Sequence, residues 1–232
     1  MTIDKDNLLA SIMESLSRIQ YIKLDDIPNI DLYMDQVTTF MDSNLKKTTR
    51  HQEEDKILTK TMINNYTKND LLPPPERKKY TKDHIILLIF IYYYKGILSI
   101  QDIQKLLDPL ADQFFHTDGR LDLGAIYSHV FALEKNQVEG LKEDIVKKFE
   151  ISQDTFPEAL PEEQEFLRLF SFICMLSYDV YVKRLLIEKM IDMMHDAKKT
   201  SAETKAPKEA KASKETAKSK INDKAAKDPK KQ

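Results

Sequence analysis

A chain of 232 residues with 41% hydrophobic and 32% charged residues can bury a core, which excludes a wholly disordered protein. Four glycines and no tryptophan favour helices over a sheet rich in tight turns, so the expected fold is mostly α. The formal net charge of −2 conceals an asymmetry, about +7 in the lysine-rich segment from Ala197 and about −9 before it, and so excludes little about partners.

The opening MTIDKDNLLASIMESLSRIQ sets Leu8, Leu9, Ile12, Met13, Leu16 and Ile19 at helical spacing, with Asp4 or Asp6 available as cap. It predicts an amphipathic helix that needs a partner surface. It carries no signal-peptide hydrophobic region. The longest apolar runs, near Ile85 to Tyr94 and Phe170 to Val182, are too short to cross a bilayer. A cytoplasmic protein with no membrane association is therefore expected. The single cysteine, Cys174, cannot form an internal disulfide or build a zinc site alone; within its apolar run it reads as a buried, inert thiol.

Leu24, Ile27 and Ile30 around Pro28 read as an extended connector, because a proline disfavours helix at the residue before it. Asp31 is then the expected cap of a helix carrying Leu32, Tyr33, Val37, Phe40, Met41 and Leu45. Residues 46–56, KKTTRHQEEDK, contain no apolar member and predict a solvated loop or a frayed helix end. A second helix is predicted from about Ile57 to Lys68. Leu58, Met62, Ile63 and Tyr66 fall on one side, while Lys60, Asn64, Asn65 and Lys68 face elsewhere. That division suits a DNA-reading helix, with an apolar back for the core and amides and cations forward. The asparagines alternatively cap or terminate the helix before Leu71.

Leu71 and Leu72 lead into Pro73, Pro74 and Pro75, which cannot continue a helix and stiffen the exit. Glu76, Arg77, Lys78 and Lys79 follow before Tyr80. This stretch reads either as a wing whose basic tip lies on phosphates or as a proline-bounded connector with solvated charges. Residues 46–82 as a whole hold about 10 Lys or Arg against about 5 Asp or Glu, a local basic excess. Thr81 is the expected cap of a helix over Ile85 to Tyr94, whose apolar residues face nearly all round and place it centrally in the core. Lys95 and Gly96 end it, the glycine being able to take a positive φ. Ser99, with Asp102 three residues on, restarts a helix striped by Ile100, Ile103, Leu106 and Leu107 and ending at Pro109.

Asp108 to Leu121 reads as a loop, with a short helical turn through Phe114 as an alternative. Residues 122–151 then predict one long helix bent near Gly140, and Glu162 to about His195 a second across a break at Thr155 to Pro161, the two forming a hairpin. The second arm carries more apolar surface than one facing helix covers. A monomeric core, a homodimer interface and a ligand cavity remain open readings of it. From Ala197 to Gln232 Ile221 is the only large apolar residue, and this segment is expected to be disordered.

Motifs for catalysis are missing from the sequence. The glycines never gather into a phosphate-cradling loop, and no G-x-S-x-G elbow occurs. The histidines, His51, His84, His116, His129 and His195, show no H-E-x-x-H spacing, so no metal or cofactor is expected. His84 reads as a first-turn helix residue and not as a base. Acid pairs such as Asp25-Asp26 lie in runs expected to face solvent, where they are ordinary solvated charges. No enzymatic activity is expected.

Residues 58–108 resemble the DNA-binding domain of MerR-type regulators, in which a recognition helix leads into a proline-containing wing. Ile63 takes the place of the buried leucine, Tyr66 that of the second tyrosine, and Leu71, Leu72, Pro73 and Pro74 form the exit. Tyr80-Thr81-Lys82-Asp83 and Leu98-Ser99-Ile100-Gln101-Asp102-Ile103 are similar to the segments that open the next two helices. The wider span from Leu32 to Leu107, including Leu58-Thr59-Lys60-Thr61-Met62-Ile63-Asn64-Asn65-Tyr66, resembles a bacterial family known only as a domain of unknown function whose members are thought to be MerR-like winged helices. Asn64 and Asn65 stand where MerR proteins usually show arginine and tyrosine.

The resemblance implies that Asn64 and Asn65 reach base edges in double-stranded DNA, while Lys60, Lys68, Arg77, Lys78 and Lys79 bind phosphates. The resulting expectation is a mostly α protein in four parts. Residues 1–30 hold an N-terminal helix and connector, and 31–110 a MerR-like winged helix-turn-helix. Residues 111–196 form a helical hairpin for dimerisation or effector binding, and 197–232 a disordered tail. The expected function is transcription regulation by sequence-specific DNA binding as a homodimer; the alternative is a helical protein-protein interaction adaptor without DNA binding.

Overall fold

The structure, a computed structural model, describes residues 5–17, 21–52, 54–117, 119, 121–135 and 137–225. It is mostly α-helical with one small two-stranded antiparallel sheet. The helices are α1 (Lys5–Ser17), α2 (Met34–Leu45), α3 (Lys60–Lys68), α4 (Lys82–Tyr94), α5 (Ile100–Phe114), α6 (Leu123–Lys135), α7 (Val138–Gln153) and α8 (Pro161–Ala225). The strands β1 (Leu32–Tyr33) and β2 (Lys79–Tyr80) pair in the register Leu32 to Tyr80 and Tyr33 to Lys79. Two compact units are distinguished, Met1–Leu185 and Leu186–Gln232.

The first unit is built on α4. Every residue from His84 to Ile91 is buried, as an all-round apolar helix requires. Burying each such aliphatic side chain contributes roughly 1.5–3 kcal/mol, so this helix carries a large part of the core. Helices α5 and α6 and strand β2 pack on it, and α6 brings Tyr127 and Phe131 against Phe90. The Tyr127 hydroxyl donates to the Ile22 carbonyl at 2.5 Å, which satisfies a buried phenol and ties the connector before Pro28 to α6. That connector makes one 3-10 turn over Leu24–Asp26 and then extends at Ile27, where the following proline forbids helix.

Local capping departs from expectation at three places. Asp31 precedes β1, and α2 begins instead after Tyr33, whose backbone N–H donates to the Gln36 side chain at 2.9 Å. Helix α4 ends at Lys95 in right-handed geometry, no glycine takes a positive φ among the described residues, and the Lys95 ammonium crosses to the Ile57 carbonyl at 2.7 Å. Pro109 lies inside α5, not at its end. The missing N–H there is offset by burial of Leu107 and part-burial of Leu110 and Phe114, which hold the helix on through Phe114. The Ser99 cap is formed as expected, with the Asp102 N–H donating to its hydroxyl at 3.1 Å.

In place of the long helix expected over residues 122–151 the structure has α6, ending at Lys135, and α7, starting at Val138, and Gly140 lies within α7. A second core joins Ile145 and Phe149 of α7 to Phe172 of α8, with Leu8, Leu9, Ile12, Met13 and Leu16 of α1 packed against it. The partner surface that α1 needed is thus the hairpin. Lys148 of α7 links both arms, pairing with Asp144 on its own helix and with Asp179 of α8 at 2.7 Å. These hydrogen bonds raise the Lys148 pKa, and the ammonium lowers that of Asp179.

Cys174 is exposed, against expectation, because α8 turns Phe172 to the core and Cys174 away from it. In the second unit α8 buries Ile191 and exposes Leu186, Met190, Met193 and Met194. The backbone stays helical through Ala225, where disorder was expected. Composition excluded a tertiary core for this segment, but alanine, lysine and glutamate are strong helix formers and need none locally. The last part of that expectation, residues 226–232, lies outside the described residues. No helix among the described residues is long and apolar enough to cross a membrane.

Candidate functional site

Helix α3 is short and two-faced. The Thr59 hydroxyl accepts from the Met62 N–H at 3.1 Å and starts the helix one turn later than the apolar pattern suggested, leaving Ile57 and Leu58 as a buried lead-in. Ile63 and Tyr66 are buried, and burial raises the Tyr66 pKa. The opposite side exposes Thr61, Asn64, Asn65 and Lys68. At 3.6 residues per turn these four lie within about 100° of one another, a single outward strip. None of them is acidic.

The helix is closed by Asp70 and not by the asparagines. Asp70 takes the left-handed conformation, φ 56°, while the Leu71 and Leu72 N–H groups both donate to the Tyr66 carbonyl at 2.9 and 3.2 Å. Buried Leu71 and Leu72 then anchor the exit to the core. Asn64 and Asn65 are left in mid-helix with exposed side chains, so their expected capping alternative is not what the geometry shows.

The stretch Glu76 to Lys79 is a tight reversal. The Lys79 N–H donates to the Glu76 carbonyl at 2.8 Å, and the two central residues, Arg77 and Lys78, have φ of 49° and 63°. Two successive left-handed residues suit a hairpin turn but are usually supplied by Asn and Gly. Both basic side chains are exposed at the tip. Lys79 is held back, its ammonium lying 5.5 Å from the centre of the Tyr33 ring across the sheet.

Lys60 departs from the expected set. It pairs with Asp35 of α2, a carboxylate that competes with any phosphate for it, although an exposed pair of this kind is weak. Helix α2 packs against both α3 and β2 and so carries both groups of candidate residues. The structure thus brings Asn64, Asn65 and Lys68 together on one strip, sets Arg77 and Lys78 at one turn, and gives Lys60 and Lys79 partners of their own.

From its place in the sequence His84 is only a first-turn helix residue. It is wholly buried, and its Nδ1 accepts from the Thr81 N–H at 3.0 Å, doing the work of the Glu or Gln of a capping box. The Thr81 hydroxyl lies 2.9 Å from this same nitrogen and 3.1 Å from Nε2 of His116. His116, itself left-handed with φ 54°, donates its backbone N–H to Asp83 at 2.8 Å. Burial pushes the His84 pKa down to about 4; the Pro74 backbone opposes this, His116 adds to it, and the Pro73 backbone and Asp31 oppose it again. This knot ties the root of the turn, through Tyr80, to the end of α5 at Phe115. The Thr81-to-His84 spacing was the available signal for it.

Among the described residues no group of three His, Cys, Asp or Glu side chains could hold a metal ion. No curated protein and no solved structure matches the chain. Residues 22–130, the span that carries α2 to α5, the turn and most of α6, match the model of a family described as a domain of unknown function (DUF1836).

Proposed function

We propose that the protein is a cytoplasmic, non-enzymatic transcriptional regulator that binds double-stranded DNA through a MerR-like winged helix-turn-helix. In this reading α2 and α3 form the helix pair, Glu76 to Lys79 the tip of the wing, and the sheet its root. The observation that carries it is the acid-free strip of Thr61, Asn64, Asn65 and Lys68 on a helix whose back, Ile63 and Tyr66, is anchored in the core. A rigid helix presenting amides outward meets the demand of the major groove, where an asparagine bonds an adenine edge at N6 and N7. Lys68, Arg77 and Lys78 supply phosphate contacts that set register without reading sequence, with Lys60 and Lys79 at the margin.

The test is selection of DNA from a random pool by the full chain, followed by binding titrations on the enriched sequence. Asn64→Ala or Asn65→Ala should reduce discrimination at one base position by about 1–3 kcal/mol. Arg77→Ala and Lys78→Ala should weaken all sequences alike and each flatten the salt slope by about 1. A pool that stays unenriched at low salt refutes the reading. The alternative, a protein-interaction adaptor, draws on one observation, the acids set among the cations: Asp35 on Lys60, and exposed Asp70 and Glu76 beside the two basic groups. A partner protein recovered together with an unenriched DNA pool would favour it.

A further inference from the structure

Lys60 and Asp35 meet each other and still face solvent. The Lys60 ammonium lies against the Asp35 carboxylate and joins the start of α3 to the first turn of α2, yet the two side chains are 60% and 75% exposed. A surface pair this open adds little to stability, so the fold tolerates its loss. What it supplies is a donor and an acceptor held side by side at the edge of the outward strip. Lys60 precedes Asn64 by four residues and lies about 40° from it around the helix axis, and Lys68 follows by the same step, so the three form one line. The carboxylate repels phosphate oxygens, which makes Lys60 a poor backbone contact in spite of its charge.

Resting on the DNA-binding reading above, we propose that this ion pair reads a G·C base pair in the major groove. The Lys60 ammonium donates to O6 and N7 of guanine, and the Asp35 carboxylate accepts from the N4 amino group of the paired cytosine. The edge of a G·C pair offers acceptors on one base and a donor on the other, and an ammonium beside a carboxylate is the complement of that pattern. The reversed pair, C·G, sets each charged group against one of its own polarity. An A·T pair does the same at adenine N6 and thymine O4. A T·A pair keeps one acceptor and one donor but puts a methyl group in place of N7, so it is the nearest competitor. Four residues of helix advance about 6 Å against about 3.4 Å per base pair, which puts the G·C pair about two steps from the adenine that Asn64 reads.

Selection from a random duplex pool by the full chain should fix a G·C pair about two steps from the position that Asn64→Ala relaxes. Changing it to C·G or A·T should raise Kd at least about tenfold, and to T·A by less. Asp35→Ala should erase the preference and, by freeing Lys60 for a phosphate, tighten binding to unselected DNA and steepen the salt slope by about 0.9. Exchanging the charges, Asp35→Lys together with Lys60→Glu, should turn the preference to C·G at the same position, with far-UV circular dichroism unchanged. An enriched site with no fixed pair there, or an exchange variant that still prefers G·C, overturns this inference and leaves DNA binding standing. So does a Lys60→Ala variant that weakens every sequence alike and flattens the salt slope, the mark of a phosphate contact. A pool that stays unenriched at low salt refutes DNA binding itself and the inference with it.

Discussion

Mild acid should loosen the knot at His84, and the size of the effect follows from its burial. The imidazole titrates near 6.5 when free and about 4 when folded, where it is wholly buried. At about 1.4 kcal/mol per pH unit, that gap corresponds to about 3 kcal/mol of stability. Above pH 6.5 the ring is neutral in both states and the whole contribution is present. Between 6.5 and about 4 the unfolded chain takes up a proton that the folded chain refuses, so stability falls as pH falls. Below about 4 both states are protonated and no further loss comes from this group.

The perturbation is His84→Gln, since glutamine at this position of a capping box accepts from the Thr81 N–H without titrating. Asp31, Asp83, His116 and Tyr80, the charged or titratable groups around the ring, are present in both proteins, so subtracting one stability curve from the other isolates His84. Urea unfolding followed by circular dichroism between about pH 7.5 and about pH 4 should give a wild-type curve falling more steeply than the variant's by about 3 kcal/mol in all. Parallel curves would refute the argument, because a ring that is solvated or already paired in both states cannot create a difference.

Three further outcomes follow from particular contacts. Lys78→Gly relieves a left-handed lysine and should stabilise the fold by about 0.5–1 kcal/mol, raising Tm by about 1–4 °C; a lower Tm would mean that the turn does not need positive φ there. Tyr127→Phe strips the Ile22 carbonyl of its buried donor and should cost about 1–3 kcal/mol in urea unfolding, and a neutral result would place water at that carbonyl. Phe172→Ala empties the second core and should cost about 3–5 kcal/mol, whereas a loss under about 1 kcal/mol would show that α8 is not held on α1 and α7 by this side chain.

Several residues had roles set by their neighbours along the chain alone, although the local rules misplaced the Asp31 cap and the Gly96 stop. The unbroken run from Ile85 to Ile91 could belong only to a buried element, and the two sides of α3 follow from the spacing of Ile63 and Tyr66 against Asn64, Asn65 and Lys68. The Ser99 cap, the extension before Pro28 and the mostly helical class are of the same kind. These are local matters, decided by periodicity, hydrogen-bonding side chains and fixed φ angles within a turn or two.

Tertiary packing decided the rest. Pro109 marks a helix end by local rules, yet α5 continues past it because Leu107, Leu110 and Phe114 pack on beyond. Nothing in Glu-Arg-Lys-Lys announces two left-handed residues; they arise because buried Leu72 and Tyr80 hold both ends of a stretch that must reverse. Lys60 and Lys79 looked like free cations until folding brought Asp35 and Tyr33 to them. His84 looked like an ordinary first-turn residue until the end of α5 closed over it. For Lys60, Lys79 and His84 the deciding partner lies far off in sequence, and only the closing of the core, driven by the apolar surface of α4, brings it within reach.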